Sequence, residues 1–305
     1  MRVRRQHKGY TMLEMMVSIG IGMIVSLAAT QLFLTNQMSF NLQKGLGDVS
    51  DNGRFALDFM GRAIRAGAMQ PMPANATANT NNIALAGAMW PAIIVDSSDF
   101  PNGVTIPDNM LSKNNQPALA APATGKQGGI GASDQLLVQY YTPYDTRDCE
   151  GQTVPAGNYV LARFFLRADT SAGTGSALAC EGGYYAGTEN AALVNISTTD
   201  TGGAVMLSSV DNFQVMVGTA SATGATAPQQ YMNLATYKAL PTPRPPIATV
   251  KLGLLVSSIE RAGTLLGASP AFTVLDETVA AGSIPADNRV RRLFSSTVTV
   301  RNVMN

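Results

Sequence analysis

Few residues in this chain can do acid–base, nucleophilic or metal chemistry, and their spacing suits it poorly. There is one histidine, His7, set in a short basic run with Arg2, Arg4, Arg5 and Lys8. A Ser–His or Cys–His pair, or a histidine-bearing metal site, would have to be built on that residue. Ser176 lies in Gly175-Ser176-Ala177, which lacks the second glycine of a nucleophile elbow. Asp145, Asp148 and Glu150 cluster in one turn, with Asp134 before the preceding strand. Calcium takes such oxygens, but the spacing is not that of a twelve-residue EF-hand loop, and carboxylates in turns are ordinarily solvated. Gly125, Gly128, Gly129 and Gly131 do not open a helix after a strand, so they make no phosphate loop. Arg289, Arg291, Arg292 and Arg301 are the one basic concentration. Charges of this kind guard sheet edges, and the expectation is a solvated approach to an edge strand. Aromatic residues do not interleave with them, which weakens the competing reading of a patch for an acidic neighbour or for DNA. The residues thus predict no catalytic group, no cofactor and no metal.

The residue that needs an explanation is Glu14. From Met15 to Gln43 there is no charged residue, and within Met15–Leu34 the polar side chains are Ser18, Ser26, Thr30 and Gln31 only. About 20 apolar residues cross a bilayer as a helix. The basic residues before Gly9 should stay on the cytoplasmic side, leaving the rest of the chain outside. Glu14 stands at the edge of this run, where a carboxylate is costly without a partner.

The elements that position these residues can be read in order. Tyr10–Met69 holds no proline. Beyond the lipid-length part, Leu42, Leu46, Val49, Gly53, Ala56, Met60 and Ala63 follow a four–three step, which marks one face of a helix. Lys44, Asp48, Asp51, Asp58, Arg62 and Arg65 fall on another face, with Asp58 and Arg62 at the supporting i,i+4 spacing. The pattern predicts one helix over 10–69, anchor over 10–34 and amphipathic over 35–69, roughly 90 Å long at the helical rise. Gly20 and Gly22 are where the anchor half could bend. A cleavable secretory signal ending at Ser26-Leu27-Ala28 is the competing reading, but a signal peptide has no reason to continue as a helix through its own cleavage site. A plain uncleaved anchor is the other, and it would need neither Gly9 nor Glu14.

Pro71–Asn305, about 235 residues, suffices for one sizeable domain or two small ones. Five stretches read as strands: Gln135–Tyr141, Asn158–Arg167, Val210–Val217, Thr249–Ser258 and Arg292–Val300, with Ile93–Val95 as a short sixth. In Asn158–Arg167, Val160, Ala162, Phe164 and Leu166 form one face and Arg163 and Arg167 lie on the other. Ser112–Asp134, Ala168–Ala179 and Thr219–Gln230 read as loops, and Pro241–Pro246 as a stiff break. No helical pattern separates most of the strands, which favours an antiparallel sheet. Cys149 and Cys180 are the two cysteines. Outside the cytoplasm an even count predicts a disulfide between them. Taking the four cations before Gly9 from a formal charge of +1 leaves about −3, which speaks against a general nucleic-acid binder.

The start of the chain, Lys8-Gly9-Tyr10-Thr11-Met12-Leu13-Glu14 ahead of an apolar run, resembles the signal of type IV prepilins. That resemblance implies a leader, 1–9, removed after Gly9 by a prepilin peptidase. It implies N-methylation of Tyr10, where the family usually has Phe, and a subunit-assembly role for Glu14, which would meet a neighbour's terminal amine. The strand Val210–Val217 ending at Gly218, and the close Arg291-Arg292-Leu293-Phe294 followed by Val298-Thr299-Val300-Arg301-Asn302, are similar to the PilW family of minor pilins, relatives of the J-type minor pseudopilins of type II secretion. The implied fold is α+β, a pilin-like lollipop with a long N-terminal helix packed on a mainly antiparallel β-rich head over 70–305. The implied role is that of a structural subunit, not an enzyme. It would prime type IV pilus assembly and join the tip complex. Its partners would be other minor pilins, the major pilin, the prepilin peptidase, a tip adhesin and the inner membrane. It would lie first in the bacterial inner membrane, head in the periplasm, and later at the pilus tip. A type II secretion pseudopilin is the first alternative, and a membrane-anchored or secreted enzyme or binding protein the second.

Overall fold

The computed structural model describes residues 9–67, 91–100, 104–116, 130–169, 175–188, 190–196, 203–220, 230–261 and 269–300. Its first element is one unbroken helix, α1 (Met12–Ala66), and Gly20 and Gly22 do not interrupt it. Residues 68 and 69 of the expected helix lie outside the described residues. Thr11 caps the helix: its hydroxyl oxygen accepts the Glu14 N–H at 3.2 Å, satisfying one of the orphan donors of the first turn. Along the apolar part, Ser18, Ser26, Thr30 and Thr35 each donate to the carbonyl four residues back. Each hydroxyl is thereby paired within its own helix, so these polar residues fit an apolar surrounding.

Strands follow in the order β1 (Lys113–Gln116), β2 (Ser133–Thr142), β3 (Thr146–Arg147), β4 (Thr153–Val154), β5 (Asn158–Asp169), β6 (Gly175–Ala186), β7 (Ala204–Ser208), β8 (Val210–Thr219) and β9 (Gln230–Asn233). A short helix, α2 (Leu234–Lys238), leads to β10 (Ile247–Ser257), β11 (Phe272–Val274), β12 (Glu277–Val279) and β13 (Arg291–Thr299). They form a five-stranded sheet in the order β1-β2-β5-β6-β7 and a four-stranded sheet in the order β13-β10-β8-β9, with β3-β4 and β11-β12 as small ribbons. Every ladder is antiparallel, as the helix-free spacing predicted. The five expected strands are present, each shifted at its ends by two residues or fewer.

Both sheets and the second half of α1 share one core. Val49, Ala56, Leu57, Met60 and Ile64 of α1 pack with Leu136, Val138, Phe164 and Leu166 of the first sheet and with Phe213, Val215, Val250, Leu252 and Val298 of the second. The predicted inner face is close to the observed one: Val49, Gly53, Ala56 and Met60 are buried, and Leu42, Leu46 and Ala63 half-buried. Its charged face is outside, and Arg62 and Asp58 pair at 2.7 Å. Contact with β13 is close enough to exclude a side chain. A Cβ on Gly53 would fall 2.5 Å from the Phe294 ring, and one on Gly61 would touch Val298 at 3.4 Å. Eight helical residues rise about 12 Å and four strand residues about 13 Å, so β13 runs beside α1 in the same direction.

Three readings of the head change. Ala168–Ala179 is not a loop throughout, because β6 begins at Gly175 and pairs with β5 over twelve positions. Ile93–Val95 is not a strand of its own; Ile93 makes a single bridge to Val138. Ser112–Asp134 contains β1 and the start of β2. The outer face of the first sheet is covered too: Ile94, Phe100, Val104, Ile106, Met110 and Leu111 lie on Leu137, Tyr159, Leu161 and Tyr185. That cover buries Arg163, which sits on the opposite face from Phe164 as expected but out of water.

Candidate functional site

The amino-terminal turn collects the residues singled out by the signal. Gly9 and Tyr10 precede the helix in open chain, and Tyr10 is 87% exposed. Thr11, which sequence reading passed over, turns the chain into the helix, and its residue type at three before Glu14 was the available cue. Glu14 occupies the first turn, where the free N–H groups favour a negative charge. Its surroundings are otherwise apolar: Leu13, Met15, Met16 and Val17 are all exposed, as are the large hydrophobic residues from Ile19 to Leu34. The next charge along α1 is Lys44, about 45 Å further at the helical rise. The cation that would offset Glu14 in lipid therefore has to come from outside this helix. The helix is long and apolar enough to cross a membrane by length and composition, and no part of its apolar window is buried.

The two cysteines are in the head, on other elements. Cys149 and Cys180 form a disulfide, with Cα atoms 6.1 Å apart, inside the usual range. Cys180 is on the core side of β6, and Cys149 is on the turn between β3 and β4, so the bond pins that ribbon to β6 of the first sheet. Closing such a loop contributes about 3–4 kcal/mol in the chain-entropy account. The neighbouring carboxylates are used locally. Asp145 accepts from Ala156 N–H at 2.8 Å, Asp148 from Glu150 and Gln152 N–H, and Glu150 from Gly182 N–H at 3.0 Å. Asp134 is on the first sheet, buried, accepting from Val215 N–H at 2.7 Å. Among the described residues no group of three metal-binding side chains converges.

The arginine cluster is not a solvated apron. Arg291 is buried and held by Asp211 at 2.8 Å and Asp287 at 2.8 Å, and Arg289 lies 3.8 Å from Asp287. Burial pushes the Asp211 carboxyl up, against the pull of Arg291. Burial would raise Asp287 as well, but hydrogen bonds from Arg291 and from the Arg289 N–H outweigh it and hold that carboxyl below its usual range. Only Arg292 keeps to the expected exposure, and Arg301 lies outside the described residues. The strand they lead into is an edge strand, as the sequence suggested. On the other sheet, Arg163 donates to Glu181 at 3.0 Å and to Gln135 at 2.8 Å, with its guanidinium 4.3 Å from the centre of the Phe165 ring. These are paired interior charges that fix strand against strand. They are not brought near Glu14, and the Arg163–Glu181 pair stands one rung along the ladder from Cys180, on the opposite face of the sheet.

An exposed apolar helix with a lone carboxylate can insert and associate, and it offers no reacting group. The profile for a prokaryotic N-terminal methylation motif matches residues 4–30. The profile described as type IV pilus-assembly protein W, PilW, matches residues 164–302, from β5 through the last described strand. No curated protein matches the chain. Among solved structures, a type IV-like pilin from Thermus thermophilus aligns at 18% identity and a TM-score of 0.30, covering 56% of this chain and 80% of that one. With the methylation motif at one end and the PilW profile over β5 to β13, the chain carries the two sequence signatures of a PilW-type minor pilin of the type IV pilus.

Proposed function

We propose that this protein is a structural subunit, not an enzyme, that joins other minor pilins in the inner membrane, helps prime type IV pilus assembly and ends in the tip complex. The observation that carries the proposal is the single helix α1, bare and apolar in its first half apart from Glu14 and packed into the head in its second. In this reading a prepilin peptidase cuts after Gly9, Tyr10 becomes the methylated first residue, and 10–34 anchors the head of 70–305 on the periplasmic side, where the Cys149–Cys180 bond persists. Glu14 pairs with the terminal amine of an adjacent subunit, another minor pilin or the major pilin. A partially shielded ion pair of this kind sets register because each charge is costly in lipid without the other. The tip adhesin would be a further partner of the assembled complex.

Glu14→Ala tests the reading. The variant should still be cut before Tyr10 and accumulate in the membrane with its disulfide formed, since the helix N-terminus and the head do not depend on the carboxylate. It should no longer co-purify with the other minor pilins, and pili per cell should fall. A mature chain beginning at Ala29 would restore the secretory signal. Normal piliation and an intact complex in the variant strain would show that the carboxylate has no part in assembly.

A further inference from the structure

Among the described residues the two larger sheets have four edge strands, and three of these are poor templates for another chain. β1 and β9 have four residues each, and β7 has five with a register shift. β13 differs. It has nine residues and pairs with β10 in unbroken register from Thr249↔Thr299 to Ser257↔Arg291. The direction of its hydrogen bonds follows from its two ends. Ser258 N–H donates to the Val290 carbonyl and Val300 N–H to the Ala248 carbonyl, both at 2.8 Å. In an antiparallel ladder the bonded pairs alternate, so Arg292, Phe294, Ser296 and Val298 face β10. Leu293, Ser295, Thr297 and Thr299 then turn their N–H and C=O groups away from it. Among the described residues β10 is the one sheet neighbour of β13. The side chains of the same four residues are exposed.

Edges of this length are normally blunted by an inward charge, a proline or a bulge. From Leu293 to Val300 there is no charge and no proline. We infer that the free edge of β13 receives a strand from a different pilin subunit anchored beside this one, running antiparallel to β13. The direction is set by the fold: β13 runs with α1, away from the membrane, so the incoming strand runs toward it. Two copies related by an axis along the membrane normal would bring their β13 strands together in parallel, the weaker pairing, which disfavours self-association through this edge. The exposed guanidinium of Arg292 stands at the membrane-side end of the edge, so the incoming strand is uncharged along its length with an acidic residue at its carboxyl end.

The inference rests on the assembly role proposed above, and the test separates the two. Ser295→Pro/Thr297→Pro in the full chain removes two outward N–H groups and none that faces β10, a change an edge strand tolerates. The variant should accumulate with its disulfide intact, and its recovery of other pilins should fall about tenfold or more, the effect of losing two interface hydrogen bonds. Ser295→Ala/Thr297→Ala keeps the N–H groups and should recover them as the unaltered chain does. A folded proline variant that recovers pilins normally overturns the edge alone, whereas an unaltered chain that recovers none overturns the assembly role with it. If the proline variant does not accumulate, a photo-crosslinking residue at position 293 decides. A product with another pilin supports the inference. Products with a second copy of this chain only, or no product, overturn it.

Discussion

Between Met15 and Leu34, α1 is apolar on all sides and packs against none of the described residues outside itself; between Gly45 and Ile64 it is apolar on one side and buried along that side. Backbone and register are continuous across the join. What differs is the distribution of side chains, and the difference shows how one helix can serve two surroundings. The first half offers its whole circumference to lipid or to other helices. The second offers a stripe to the head and its charges to water. The glycines follow the same division. Gly22 in the first half has no atom within 4 Å of where a Cβ would lie, while Gly53 in the second is pressed against the Phe294 ring.

The largest expected effect comes from paired methionines. Met60 is fully buried and Met23 is 64% exposed. Met60→Ala should cost the head about 2–5 kcal/mol, the range for emptying a core site. Met23→Ala should leave head stability unchanged in the same detergent-solubilised full chain. Denaturant unfolding followed by a probe in the head measures both. Equal losses would mean that the two halves are not distinct.

Paired glycines give a smaller and sharper contrast. Gly53→Ala gains about 1 kcal/mol of helix propensity but forces Cβ into the Phe294 ring, and overpacking costs about 1–3 kcal/mol. The net should be a loss, or at best no gain. Gly22→Ala meets no such contact and should not lower the head's midpoint. A clear stabilisation by Gly53→Ala would show that β13 can move away from α1.

Smallest is a pH effect confined to the head, since no charged residue lies between Met15 and Gln43. Asp287 is held below its usual range, so its contribution is fully present above the ordinary carboxylate range and is lost as pH falls through the lower folded value. Asp211 is raised, so its contribution has the opposite sign: it is full in acid and is lost as pH rises through the raised folded value. Acidification from neutral should therefore relieve Asp211 first and release Asp287 last, below about pH 4. Asp287→Asn should flatten the acid limb by about 1 kcal/mol or less, because the group is partly solvated. An unchanged acid limb would remove Asp287 from the account.

How much of this was legible depended on the range of the interactions. α1 and its two halves could be read because an apolar run and a four–three repeat are local signals. β2, β5, β8, β10 and β13 could be read because each is a run of branched and aromatic residues bounded by turn formers. β6 could not. Gly175-Ser176-Ala177 opens it and Gly182-Gly183 sit near its end, composition that by itself describes a loop. It is a strand because β5 supplies twelve partners for it. The arginines were misjudged for a related reason. A charged residue near a strand end is exposed by default, and it takes Asp211, 80 residues away in sequence, together with the nearby Asp287 to make Arg291 an interior residue.

At the amino-terminal site the sequence alone determined the basic run, Gly9, Tyr10, the lone carboxylate of Glu14 and the apolar length behind it. Charge, volume and hydrophobic length are properties of a short segment, and no distant contact alters them. Tertiary structure alone decided that the outer face of the first sheet is covered, that Arg163 and Arg291 are interior charges, that Gly53 is a contact rather than a weak point, and that β13 lies along α1 with one edge unpaired among the described residues. Each of these depends on which segments meet across the core. Burial and pairing belong to the contact and not to either segment, so residue type and spacing could not supply them.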